Sequence, residues 1–311
     1  MKNATVSENS SKNRESRRTA AGRAGITIRE VVDRILAYHP ALDSYHGCDD
    51  YKCGDPDAVC TGVVTTMSAT VSIVRQAAKL GANLIVVHEP TNYTSADLPG
   101  WRGDFSNHVF DEKMKLIRDH GITIWRDHDH MHAHCPDSIF TGVLRYMGWE
   151  PYTVADTGMK PFGHYLVTLP ETILLGDLIR RLKDTIGLNG VRYIGREEMA
   201  VRRLAIVGHL YPIPYPGKNA DGTEKEYSTE VIRCFEEQGA DVILPGETVD
   251  WTVLSYIRDA VQLGENKAAI ILGHYNWEEL GMRYAREWLQ ELLGDTVRVF
   301  YLFGGDMYRY D

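Results

Sequence analysis

From about residue 26 onward, apolar residues alternate between helical spacing and short unbroken runs. Val71, Val74 and Ala78 share one helix face, with Ser68 and Thr70 suited to cap its start and Gly81 its end. The run Leu84-Ile85-Val86-Val87 is short, continuous and mostly β-branched, which predicts a strand buried on both faces. Phe110, Met114 and Ile117 mark a second helix closed by Gly121, and 122–125 the strand after it. The second half repeats the pattern. Strands are predicted at 204–207, 242–244, 268–272 and 297–303. Helices are predicted around Val231, Ile232 and Phe235, across 251–263, and from about 277 to 293. Such alternation predicts an α/β fold, with right-handed crossovers wherever strands are parallel.

An internal echo supports two related α/β domains. Gly81-Ala82-Asn83-Leu84-Ile85 resembles Gly239-Ala240-Asp241-Val242-Ile243, and the match reaches Glu89 and Glu247 at the same offset of 158 residues. Between the two halves, 152–202 reads as an extra region with a helix at 174–186.

Composition narrows the class. The 311 residues are 43% hydrophobic and 25% charged, as in ordinary globular domains. No run approaches the roughly 20 apolar residues of a membrane-spanning helix. With 34 Lys+Arg against 43 Asp+Glu the chain is acidic, which disfavours a broad nucleic-acid surface. The first residues are rich in Ser, Asn, Arg and Lys, so 1–25 is expected to be a disordered tail. Cys48, Cys53, Cys60, Cys135 and Cys234 form no CxxC and are expected to be free thiols in a reducing cytoplasm.

Three polar clusters fall at the exits of three predicted strands: His88-Glu89, the tract Asp127 to His134, and His274 with Glu278. In open α/β sheets, ligands bind beyond the carboxyl ends of strands. Imidazole and carboxylate together suit zinc, manganese, iron or nickel. His274 and Glu278 are one helical turn apart, as are His128 and His132, so each pair can share an ion. Five or six donors exceed one tetrahedral site and suit two ions. Singly, each cluster also fits a solvated loop or a helix-terminal ion pair. His108, His120, His164 and His209 lack such company and are expected to be structural or surface residues. Glu279 competes with Glu278, which the spacing favours. The phosphate-binding motifs GxxxxGK[ST] and GxGxxG and the GxSxG nucleophile elbow are not found, and His88-Glu89-Pro90 lacks the second His of HExxH.

Over roughly 27–311 the chain resembles the Nif-three-like dinuclear metal centre hexameric family, also called GTP cyclohydrolase 1 type 2. That family's His-His-Pro follows an apolar strand; here the segment reads Val87-His88-Glu89-Pro90. Its His-Thr-Asn-Leu-Asp corresponds to His128-Asp129-His130-Met131-His132. Its Gly-His, with Glu four beyond and Gly-Met soon after, corresponds to Gly273-His274, Glu278 and Gly281-Met282; a further Gly-Glu is Gly246-Glu247. Glu89 stands where the family has His, and His132 where it has Asp, so three His and two carboxylates remain: His88, Glu89, His132, His274 and Glu278.

The resemblance implies two interlocked α/β domains with mixed sheets and the metal site at the carboxyl ends of strands. The first would span 26–150, completed by about 265–311, and the second 151–264. It also implies two divalent ions, a homohexamer, and a hydrolase acting on a nucleotide or phosphate-containing small molecule. His128 and Glu247 are then the candidate catalytic residues. Neither a nucleic-acid nor a membrane partner is expected. The alternative is a non-catalytic metal-binding scaffold or regulatory interaction protein.

Overall fold

The computed structural model describes residues 25–154 and 165–311, so the expected tail, apart from Gly25, and His164 lie outside the described residues. The chain folds as mixed α/β around two main sheets. The first has the order β1 (Tyr51–Cys53), β4 (Thr123–Arg126), β3 (Leu84–Val87), β2 (Val63–Thr66) and β13 (Val299–Tyr301). Its strands are parallel except β1, which pairs antiparallel with β4. The β-branched run forms β3, and its period of two sends alternate side chains to opposite faces. Leu84 and Val86 meet α1 (Ile28–Tyr38) and α9 (His274–Leu293), while Ile85 and Val87 meet α2 (Val71–Leu80) and α3 (His108–Asp119). Thr27 and Glu30 close a capping box at the start of α1.

The second sheet has the order β5 (Thr153–Val154), β6 (Tyr165–Leu174), β8 (Ala200–Ile206), β11 (Val242–Leu244), β12 (Ala268–Ile271) and β7 (Arg192–Ile194). β8, β11 and β12 are parallel, and the other three strands pair antiparallel. One face packs on α7 (Tyr227–Glu236) and α8 (Val253–Gln262). The other packs on α5 (Ser138–Met147) and α6 (Leu175–Ile186). The region expected to be extra therefore supplies β5, β6, β7 and α6 to this sheet. β9 (Pro214–Lys218) and β10 (Glu224–Glu226) form a separate ribbon.

α9 serves both cores. Trp277 and Leu280 join the core of the second sheet, whereas Met282, Ala285, Trp288, Leu289 and Leu293 join that of the first. It crosses α5 where two glycines face backbone. A Cβ on Gly142 would lie 2.5 Å from the Leu280 carbonyl, and one on Gly281 would lie 2.7 Å from Ile139 Cα. The helix starts at His274, three residues earlier than the apolar spacing predicts, because the polar His274 and Asn276 in its first turn give no apolar period.

Candidate metal centre

Strand ends set the positions of the polar clusters. After β3, the backbone N–H groups of His88 and Glu89 both donate to the Met67 carbonyl (3.1 and 2.8 Å), which fixes the turn against the end of β2. After β4 comes Asp127, then α4 (Asp129–Ala133) with His128 at its N-cap. After β12, Gly273 takes φ +85°, a conformation that L side chains rarely adopt, and turns the chain straight into α9. His274 is thereby the first residue of the helix, with Glu278 one turn on.

The three exits converge. Glu278 Oε2 lies 3.2 Å from His88 Nε2 and 2.9 Å from His274 Nε2. Glu89 Oε1 lies 3.2 Å from the same His274 nitrogen. His88, His128 and His132 bring ligand atoms within 4.8 Å of one another, as do His88, Glu89 and Glu278. The ring of His88 stacks on His128 at 4.5 Å and meets His132 edge-on at 4.9 Å. Glu247 reaches in from the end of β11, its Oε1 3.4 Å from His274 Nδ1. All seven residues singled out in the sequence, five as ligands and two as catalytic, thus occupy one locality. Glu279 turns away from it and accepts from the Tyr301 hydroxyl at 3.0 Å.

Outer partners select the nitrogen that each imidazole offers. His88 Nδ1 sits 3.2 Å from the Asp127 carbonyl, His132 Nδ1 2.8 Å from Asp137 Oδ2, and His128 Nδ1 2.8 Å from Asp129 Oδ1. An acceptor at Nδ1 holds the proton there and leaves Nε2 as a lone pair, the arrangement usual for metal-ligating histidine. His274 differs: Glu247 Oε1 faces its Nδ1 at 3.4 Å, while its Nε2 is already hydrogen-bonded to Glu278 Oε2 at 2.9 Å. Arg126, itself buried, donates through Nε to the His88 carbonyl at 3.0 Å and sets Nη2 3.6 Å from Glu89 Oε2.

Sequence reasoning missed several of these. His209, expected to be structural or surface, packs edge-on against His274 at 4.5 Å, and its Nδ1 accepts from the Glu247 N–H at 3.0 Å. The available signal was its place just beyond a fourth strand, β8. Asp49 was also missed. Its carboxylate accepts from the backbone N–H groups of His128, Asp129 and His130 (2.7, 3.1 and 2.9 Å), so it caps α4 from some eighty residues away. No local pattern marks such a cap. Asp49, Asp127 and His130, like Cys48, His128 and Asp129, also bring donor atoms within 4.8 Å. Asp49 is already engaged by that cap and by His130 Nδ1, and Asp127 by His39 Nε2.

Electrostatics follow from this packing. Burial disfavours a charged His274, but hydrogen bonds to Glu247 and Glu278 outweigh it and raise the imidazole to about 10. Burial likewise opposes charge on His132, yet Asp137 raises it to about 9. Glu278 is held well below the usual carboxylate range because His274 and His88 outweigh its desolvation. His128 is lowered by burial and then by His88, and His209 by burial and then by His274.

The donor set passes a test of fit for divalent cations. His88 Nε2 and Glu89 Oε1 are buried and lack a hydrogen-bond partner, although each lies within 3.2 Å of a complementary group. A shared cation would satisfy both atoms. Buried polar atoms are otherwise nearly always paired.

Fold and site together define an α/β protein with clustered imidazoles and carboxylates at its strand ends. The chain belongs to the Duf34/NIF3 (NGG1p interacting factor 3) family, whose model matches residues 27–209. It is 20% identical over 229 residues to the GTP cyclohydrolase 1 type 2 homolog of Clostridium acetobutylicum, covering 72% of this chain and 75% of that protein. The fold is similar to that of the Staphylococcus aureus protein SA1388 (TM-score 0.65, 17% identity, 92% of this chain and 99% of that one). It is also similar to that of a Bacillus cereus protein related to NIF3 (TM-score 0.62, 15% identity, 92% and 99%).

Proposed function

We propose that the chain is a hydrolase dependent on two divalent metal ions, acting on a nucleotide or another phosphate-containing small molecule. The observation that carries this reading is the sharing of one atom: Glu278 Oε2 sits within 3.2 Å of imidazoles from two different strand exits. A carboxylate so placed would help to hold a pair of divalent ions. His88, Glu89, His132, His274 and Glu278 would hold the pair, drawn from zinc, manganese, iron or nickel. Such a pair supplies Lewis acidity and activates water for attack.

The protein's own groups do the rest. Glu247, backed by His209, fixes the orientation of His274 through Nδ1. His128, whose Nδ1 is engaged by Asp129 and whose pKa is lowered by burial, would serve as a proton acceptor through Nε2. The name of the clostridial relative supports a GTP-like substrate. Assembly as a homohexamer belongs to the same reading, and mass in solution tests it. The decisive experiment is a turnover screen over nucleotides and phosphate esters after reconstitution with each of the four metals. Turnover with at least one metal is expected. Its absence with all of them contradicts the hydrolase reading and favours the scaffold.

A further inference from the structure

A cavity of about 260 Å³ opens beside the candidate metal centre, and its lining includes Glu89, His274 and Glu247 together with Arg192 and Tyr308. Arg192 reaches it by strand register. β7 pairs antiparallel with β12, and Arg192 stands opposite Ile271, three residues before His274. Among the described residues the Arg192 side chain forms no hydrogen bond or ion pair, although its charge acts on the nearby Tyr310 hydroxyl. It is the one lysine or arginine in the cavity lining.

The outer wall is built by the C-terminal segment. Asp306 accepts from the Asn189 N–H at 2.7 Å and from Asn276 Nδ2 at 3.3 Å, and Asn189 Nδ2 donates to the Tyr308 carbonyl at 2.8 Å. The Tyr310 ring lies on Gly190, where a Cβ would come within 2.6 Å of it. These contacts clamp 306–310 beside β7. Asp306 is occupied by the clamp. Asn276 lines the same cavity, is 1% exposed, and keeps Oδ1 without a partner after its amide donors are used.

We infer that this cavity is the substrate subsite, with Arg192 anchoring an oxyanion of the substrate, a phosphate or a carboxylate, while Asn276 Oδ1 accepts from a neighbouring hydroxyl or amino group. The inference deepens the hydrolase reading and rests on it. A planar guanidinium matches an oxyanion bidentately, and such charge-assisted bonds outweigh neutral ones. The donor and acceptor together select a compact anionic compound that also bears a hydrogen-bond donor.

The test uses metal-reconstituted full-length protein, with inorganic phosphate and acetate titrated separately by calorimetry. Arg192→Gln should weaken binding of at least one anion by about tenfold, with Arg192→Lys in between and metal content unchanged. A loss confined to phosphate assigns a phosphate group, and one confined to acetate a carboxylate. Equal affinities for wild type and Arg192→Gln, or no binding of either anion to wild type, overturn the inference. Metal content measured on the same samples separates the two failures: wild type without metal defeats the hydrolase reading, whereas metal-loaded protein indifferent to Arg192 defeats this inference alone.

Discussion

Glu89 and Glu247 lie 158 residues apart in the chain and grip the two nitrogens of one imidazole, His274 Nε2 at 3.2 Å and Nδ1 at 3.4 Å. By the family resemblance, the carboxylate at position 89 and the imidazole at position 132 exchange the donor types expected there. If the two changes compensate, Glu89→Ala or His132→Ala should each lower bound metal. The double swap Glu89→His with His132→Asp should retain more than either, as elemental analysis would read; unchanged metal in both alanine variants contradicts the assignment. Asp137 gives a sharper probe. One of its oxygens caps α5 by accepting from the Ile139 and Phe140 N–H groups, and the other holds His132 Nδ1. Asp137→Asn keeps an oxygen for the cap but can present an N–H to His132, favouring the wrong tautomer. Metal affinity should fall by about 10–100-fold with little loss of melting temperature. Chelator competition and calorimetry measure the two effects.

At the scale of elements, the site depends on how strands and helices hand residues over. The α5–α9 crossing is a strict case, since Gly142 and Gly281 leave no room for a methyl group against backbone. Gly281→Ala should force the helices apart and cost about 1–3 kcal/mol, seen as a lower midpoint in urea. A midpoint equal to wild type would mean that the crossing is looser than described. The regular elements were legible because burial imposes period: Leu84 to Val87 read as a doubly buried strand and form one. The same physics explains what stayed hidden. His274 opens α9 in a polar turn that apolar spacing cannot register. Asp49 caps α4 across a gap that only the folded chain closes. His209 was passed over because one histidine without polar neighbours in sequence gives no sign of the strand end that aims it.

For the molecule as a whole, two sheets meet through α9, and the candidate site sits at that junction. Strand exits from both sheets contribute, so ions bound there would tie the halves together. Because the folded state alone assembles these donors, saturating metal should raise the melting temperature and a chelator should lower it. No helix among the described residues is long and apolar enough to cross a membrane, and all five cysteines are free. The convergence itself was readable from three clusters at three strand ends. The cavity with Arg192 was not, because it arises from antiparallel pairing of β7 with β12 and from a C-terminal segment folded back beside it.

Glu278 Oε2 lies within 3.2 Å of imidazoles from two separate strand exits, and metal stoichiometry tests most directly whether a pair of ions is held there as proposed. Wild-type protein reconstituted and freed of excess metal should carry two divalent ions per chain by elemental analysis. Glu278→Gln, close in shape but without the charge, should carry fewer. A wild type with no bound metal, or a Glu278→Gln variant that still holds two ions, would contradict the account.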